Sequence, residues 1–309
     1  MSSKKAFVFP GQGSQSVGML GELAQSTPVV EKTFTEASAA LDCDLWALVC
    51  KGPEEELNRT DITQPAMLAA GVAVWRALQE RGAEQPAYLA GHSLGEYTAL
   101  VCGGALAFGD AVELVAERGR LMQEAVPQGE GAMAAILGLD DEKIRDICAT
   151  VSQGDVVEAV NYNAPGQVVI AGSTAAVERA IAQAKQAGAK RAMPLPVSVP
   201  SHCALMEPAA ERLAERLATT PIAAPSIPIV HNVDVSICDD PEGIRDRLVR
   251  QLHRPVRWVE SVQYLAAQGV VVLVECGPGK VLAGLTRRID KSLEARPVFD
   301  PGTLEKALE

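Results

Sequence analysis

Aromatic residues are scarce in this chain. They make up 4% of its 309 residues, so the core has to rest on Ala, Val and Leu rather than on large rings. Positive charge is also short, with 28 Lys and Arg against 39 Asp and Glu and a formal net charge of −11. That excludes the basic face on which non-specific nucleic-acid binding depends. Any anionic ligand must find a local cationic patch. Long apolar runs are missing as well. Lys4 and Lys5 precede only Ala6 to Phe9 before Pro10 interrupts, too short for the apolar stretch of a signal peptide. Runs such as Val270 to Val274 fall far below a membrane span. The seven cysteines are odd in number and contain no Cys-x-x-Cys pair. This pattern reads as reduced thiols in a cytoplasmic protein that binds neither nucleic acid nor membrane. His202 beside Cys203 is too little for a metal site, and no metal is expected.

What is present is ordinary for a globular chain, with 48% hydrophobic and 22% charged residues. The length suits a full α/β core with room for a second, smaller unit. There is no internal repeat. Strand-like stretches at Lys5 to Phe9 and Tyr88 to Ala90 alternate with helical ones at Pro65 to Glu80, Glu96 to Val101 and Asp110 to Ala125. That alternation predicts a parallel sheet covered on both faces. The pattern changes at the breaker cluster Pro127-Gln128-Gly129-Glu130-Gly131. After it come strand 132–137, helix 140–151 with Asp140 as its cap, strands 156–162 and 167–171, helix 174–186 ending before Gly188, and extended chain 191–197. This β-α-β-β-α-β order is ferredoxin-like. Residues 127–198 therefore read as a subdomain inserted into an α/β hydrolase-like catalytic domain formed by 1–126 and 199–309. The rest of that domain should contain helix 207–217, strand 227–232, helix 243–252, strand 270–275 and helix 281–289.

Gly91-His92-Ser93-Leu94-Gly95 matches Gly-x-Ser-x-Gly. The spacing has a physical reason. A serine hydroxyl must project from a sharp strand-to-helix turn, and glycines two before and two after remove the clashes that side chains would cause there. The helix that follows aims its free N–H groups at developing negative charge. A strand before and a helix after set this pentapeptide apart from a chance turn.

A serine nucleophile needs a general base. Four histidines are available. His92 is adjacent to Ser93 and should point away from it. His231 and His253 sit at element ends and read equally as core or surface residues. His202 lies in Val199-Pro200-Ser201-His202, a rigid loop before a helix, and is favoured. A second Gly-rich turn, Gly11-Gln12-Gly13, follows the first strand. It lacks the third glycine of a dinucleotide fingerprint, since Ser16 stands there, and it is no P-loop. Two readings stay open: a plain turn, or a loop whose Gln12 N–H joins that of Leu94 in an oxyanion hole.

One arginine sits on an unexpected face. Arg120 has Glu113, Glu117 and Glu124 at helical neighbour positions, a solvated arrangement. Arg118 instead shares a stripe with Ala111, Leu114, Val115 and Met122. A guanidinium there is costly unless paired. Either it meets a structural carboxylate or it awaits one on a ligand.

Together with Phe9-Pro10-Gly11-Gln12-Gly13-Ser14-Gln15 come Thr63-Gln64-Pro65-Ala66, Arg118-Gly119, Asn161-Tyr162-Asn163 and Glu275-Cys276-Gly277-Pro278. As an ordered set with the elbow and the His202 loop, they make the chain resemble the malonyl-CoA:acyl carrier protein transacylases of type II fatty acid synthesis. Polyketide synthase acyltransferase domains share that fold. The resemblance covers nearly the whole length without a departure at these positions. It implies that Ser93 carries the acyl group, that His202 is its base, and that the Gln251 carbonyl orients His202. It also implies an oxyanion hole from Gln12 and Leu94, and Arg118 as the clamp for the malonyl carboxylate. Arg118, His92, Asn161 and Asn163 make up the substrate-binding set. The implied partners are malonyl-CoA and the phosphopantetheine thiol of acyl carrier protein, with no cofactor and a monomer as the default. Lys190, Arg191, Arg287 and Arg288 are candidate phosphate or carrier-protein contacts. A trans-acting polyketide acyltransferase, a serine thioesterase or hydrolase on this scaffold, and a non-catalytic carrier-binding subunit are the competing readings.

Overall fold

A computed structural model describes residues 4–197 and 199–309. The expected inner boundary at Ser198, and Met1 to Ser3, lie outside the described residues. The main sheet is built from β1 (Lys5–Phe9), β2 (Tyr88–Gly91), β7 (Ile229–Val230), β8 (Val272–Cys276) and β9 (Glu294–Val298). Its order is β7-β2-β1-β8-β9, and every pairing is parallel. β1 is central, and the chain leaves it for β2 on one side and later for β8 on the other. The loops at the carboxyl ends of these adjacent strands therefore open at the point where strand order reverses, the usual ligand position in such sheets.

A second sheet comprises β3 (Gly131–Leu137), β4 (Val157–Ala164), β5 (Gln167–Ser173) and β6 (Arg191–Pro194). It is antiparallel in the order β4-β5-β3-β6, the ferredoxin-like arrangement. Helices α8 (Asp141–Val151) and α9 (Thr174–Gln186) cover it, and Ile136, Ile144, Val168, Ile170 and Val177 close its core.

The main sheet is flanked by α5 (Thr60–Glu80), α6 (Gly95–Cys102), α7 (Phe108–Ala125), α10 (Glu207–Thr219), α11 (Pro241–His253), α12 (Trp258–Ala267), α13 (Val281–Ile289) and α14 (Pro301–Leu308). Four further helices fill the stretch after β1: α1 (Gly21–Ser26), α2 (Val29–Leu41), α3 (Leu45–Lys51) and α4 (Glu54–Leu57). As the shortage of rings predicts, α5 packs through Ala66, Leu68, Ala69, Ala70, Ala73, Val74 and Ala77, all buried.

Several elements depart from the sequence expectation. Helix α5 begins at Thr60, so Pro65 lies inside it rather than at its start. The first turn is held against α7, where a Cβ on Gly119 would lie 2.6 Å from the Thr60 carbonyl oxygen. Packing there outweighs the hydrogen bond that Pro65 cannot donate. The strand expected over 227–232 shrinks to Ile229–Val230, because His231 and Asn232 turn their polar groups inward. Asp140 stands at the N-cap of α8 without a capping side-chain bond. Of the extended stretch 191–197, the strand ends at Pro194, with one further bond from the Leu195 N–H to the Met133 carbonyl oxygen at 2.9 Å. No described helix is long and apolar enough to cross a membrane.

Candidate active site

Strand β2 ends at Gly91, and α6 starts four residues later at Gly95. The turn between them is as tight as the motif requires. A Cβ on Gly91 would lie 1.9 Å from the Gly95 carbonyl carbon, and one on Gly95 would lie 2.0 Å from the Phe9 carbonyl oxygen. Both contacts are to backbone and cannot be relieved by a rotamer change. Gly95→Ala is therefore expected to destabilise the fold by about 3 kcal/mol or more, read from urea unfolding. Loss below about 1 kcal/mol would show that the strand and helix can separate.

Ser93 itself has φ of +53°, a left-handed conformation that strains a non-glycine residue. Two side chains hold it there. The Ser93 N–H donates to Asn232 Oδ1 at 2.7 Å, and Gln251 Nε2 donates to the Ser93 carbonyl at 3.0 Å. Asn232 Nδ2 also donates to the Gly91 carbonyl at 2.7 Å.

The Ser93 hydroxyl lies 2.7 Å from His202 Nε2. His202 Nδ1 lies 2.7 Å from the Gln251 carbonyl oxygen. A carbonyl can only accept, so Nδ1 carries the hydrogen and Nε2 presents its lone pair to the serine. Burial, and then the nearby Arg118 charge, push the His202 pKa down to about 3. The ring is thus held neutral, the form a base needs. The backbone carbonyl occupies the place of the carboxylate in a Ser-His-Asp triad.

Arg118 is 1% exposed and has no carboxylate within ion-pair distance among the described residues. Of the two possibilities left by the sequence, the structural carboxylate is not there. Nη1 donates to Gln64 Oε1 at 2.8 Å, and Nη2 donates to Gln251 Oε1 at 3.1 Å. Nη2 also lies 3.5 Å from Ser93 Oγ, and Nε has no partner among the described residues. Two neutral amides orient this cation without cancelling its charge. A cavity opens over it, lined by Gln12, Ser93, Leu94, Arg118, Asn161 and His202, with Met122, Met133, Leu195, Val197 and Val199 as its apolar wall. The N–H groups of Gln12 and Leu94 have no hydrogen-bond partner among the described residues.

The remaining sequence candidates divide. His92 lines the cavity, but its Nε2 is turned to Asn163 Oδ1 at 2.8 Å. Asn161 also lines it, and its buried Oδ1 has no partner among the described residues. Lys190, Arg191, Arg287 and Arg288 are exposed and do not line the cavity. Glu275 serves structure, since its carboxylate accepts from the Leu282 and Ala283 N–H groups at 2.9 and 2.7 Å and caps α13. Gln64 belongs to the site through Arg118, and Glu96, His231 and Asn232 lie beneath it. His253 lies apart, its Nδ1 3.6 Å from a Glu207 carboxylate oxygen.

The acyl transferase domain profile matches residues 6–299. The malonyl CoA-acyl carrier protein transacylase of Salmonella typhimurium is 61% identical over 98% of this chain and 98% of its own length. The chain belongs to the acyl transferase family, among the malonyl CoA-acyl carrier protein transacylases. A Bacillus subtilis transacylase of the same description is 46% identical over 99% of this chain and 97% of its own. A malonyl-transacylase solved in complex with its type II PKS acyl-carrier protein superposes with a TM-score of 0.98. It is 59% identical, with 99% of each chain covered. The transacylase of Coxiella burnetii superposes with a TM-score of 0.99 at 52% identity, covering 100% of this chain and 98% of that one. Within this family, the chain retains both the serine and the histidine that a non-catalytic subunit could lose.

Proposed function

We propose that this acyltransferase moves the malonyl group from malonyl-CoA to the phosphopantetheine thiol of acyl carrier protein, supplying malonyl-carrier protein for fatty acid synthesis. One observation carries this reading. A single hydroxyl, Ser93 Oγ, lies 2.7 Å from a neutral imidazole nitrogen and 3.5 Å from a buried guanidinium that lacks a carboxylate partner. The first neighbour makes a nucleophile. The second selects an acyl group that ends in a carboxylate, which a planar guanidinium can hold through two parallel hydrogen bonds.

Ser93 Oγ attacks the thioester carbonyl carbon while its proton passes to His202 Nε2. The oxyanion that forms is placed to accept from the Gln12 and Leu94 N–H groups. As the C–S bond breaks, His202 returns the proton to the leaving CoA sulfur, and malonyl-Ser93 remains. The carrier thiol then gives its proton to His202 and attacks the ester carbonyl. Ser93 leaves and regains the proton. Both half-reactions use one base and one oxyanion hole, so the two thiols take turns in one cavity. No step calls for a metal or redox group. We also read residues 127–198 as an inserted unit, supported by their separate apolar core.

The test is intact-mass measurement after mixing with malonyl-CoA, followed by peptide mapping. The expected result is one malonyl group on Ser93, discharged by carrier protein bearing its phosphopantetheine arm. Release of free malonate in preference to transfer would make the protein a hydrolase instead.

A further inference from the structure

Two buried charges at this site, Arg118 and Glu96, lack a direct counterion of the usual kind among the described residues, and one residue joins them. Arg118 meets two amide oxygens, the Ser93 hydroxyl and the face of the Tyr97 ring, all of them neutral. Glu96, at the start of α6, is 0% exposed and has no Arg or Lys within ion-pair distance among the described residues. Its Oε1 lies 2.8 Å from His231 Nδ1. Its Oε2 accepts from the Asn232 N–H at 2.9 Å and from Gln251 Nε2 at 3.0 Å. The other end of that same Gln251 amide, Oε1, accepts from Arg118. The donor end of the amide thus faces the anion and the acceptor end faces the cation.

We infer that Glu96, backed by His231, is a positioning residue that fixes the Gln251 amide and thereby holds Arg118 ready for the carboxylate of the acyl group. An amide is nearly symmetric in shape, so packing alone does not choose between its two orientations. The Glu96 carboxylate, beside the Ser93 carbonyl oxygen on the same side, chooses, because both can only accept, and the carboxylate adds the charge. With the amide turned over, its NH2 would face Arg118, two donors would oppose each other, and the guanidinium would swing away. The same carboxylate holds the Asn232 N–H, and Asn232 holds the Ser93 turn. Gln251 separately orients His202 through its backbone carbonyl, which a change at Glu96 leaves in place. Glu96 therefore acts on acyl-group choice more than on the serine–histidine pair.

This inference rests on the malonyl reading above. Its test compares wild type with Glu96→Gln, which keeps the shape but removes the charge and leaves one acceptor oxygen where the carboxylate offers two. The expected result is a rise of about tenfold in KM for malonyl-CoA and a similar fall in malonyl-over-acetyl preference. Reaction of Ser93 with a fluorophosphonate, which needs the serine and base but no carboxylate, should stay within about threefold. If Glu96→Gln does not fold, His231→Phe removes the group that backs the carboxylate while leaving Gln251 and Asn232 in place, and it should show the same split. Equal losses for malonyl, acetyl and fluorophosphonate would overturn the inference and make Glu96 a support of the elbow alone. An unchanged malonyl preference would overturn it too. Failure of wild type itself to form a malonyl-enzyme would instead defeat the malonyl reading.

Discussion

Replacing His202 by alanine is expected to slow acyl transfer by about 10³-fold, the scale of losing a positioned base together with its return of the proton to the leaving thiol. Single-turnover formation of the acyl-enzyme is the measurement, because it isolates the step in which Ser93 loses its proton. A loss under about tenfold would mean that another group takes that proton. The wild-type pH profile follows from the same ring. Burial and the Arg118 charge hold the His202 pKa at about 3, so the imidazole is neutral throughout the physiological range. The value of kcat/KM should therefore show no acid limb near 6.5, and should fall only as pH approaches 3 to 4. An acid limb near 6.5 would mean that the ring is hydrated or out of reach of Arg118.

The stability consequence has a definite sign. In the unfolded chain the imidazole titrates near its ordinary 6.5, while in the fold it resists protonation down to about 3. Between these values the unfolded state binds the extra proton. Stability due to this group is complete above about 6.5 and falls with pH across that window, by about 1.4 kcal/mol per pH unit. His92, whose pKa burial also lowers, adds a loss of the same sign. Urea unfolding at pH 7.5 and 5 should show wild type losing more stability than His202→Ala.

Much of this was legible in the sequence because it is local. The elbow is spelled by Gly91, Ser93 and Gly95, whose steric demands lie within one turn. The stripe position of Arg118 follows from a period of 3.6. The alternation of elements after Gly131 gave the order of the antiparallel sheet. What was not legible depends on pairs far apart in the chain. Nothing near Arg118 indicates that Gln64 and Gln251 would hold it, since both partners come from other helices. Glu96 read as the first residue of the helix after the elbow, and His231 as core or surface, until β7 and α6 brought them to 2.8 Å. Asn232 was absorbed into a strand that stops at Val230. Helices α1, α3 and α4 are too short to show a clear period, whereas α2, with Val30, Phe34 and Ala37 buried along one face, carries a period that the sequence reading leaves out.

Arg118→Ala carries the sharpest consequence for specificity. Its expected effect is a fall in kcat/KM for malonyl-CoA of about 10²- to 10³-fold, the loss of a desolvated charged hydrogen-bonding pair. Acetyl-CoA, which offers no carboxylate, should lose less than about tenfold. Arg118→Lys should recover little of the difference, because an ammonium lacks the planar fork that can rest on the Gln64 and Gln251 oxygens and still offer a carboxylate two parallel bonds. The two halves of the site are also coupled through charge. Arg118 helps to hold the His202 ring neutral, so its removal should raise the basicity of His202 and move the acid limb of acetyl transfer upward toward 6.5. A bound malonyl carboxylate, by compensating the guanidinium, should act in the same direction. The correct acyl group then strengthens the base as it is held in place, while an uncharged one leaves that base weakened by Arg118. Equal losses for malonyl and acetyl in Arg118→Ala, with an unmoved acid limb, would show instead that Arg118 only supports the fold around Ser93.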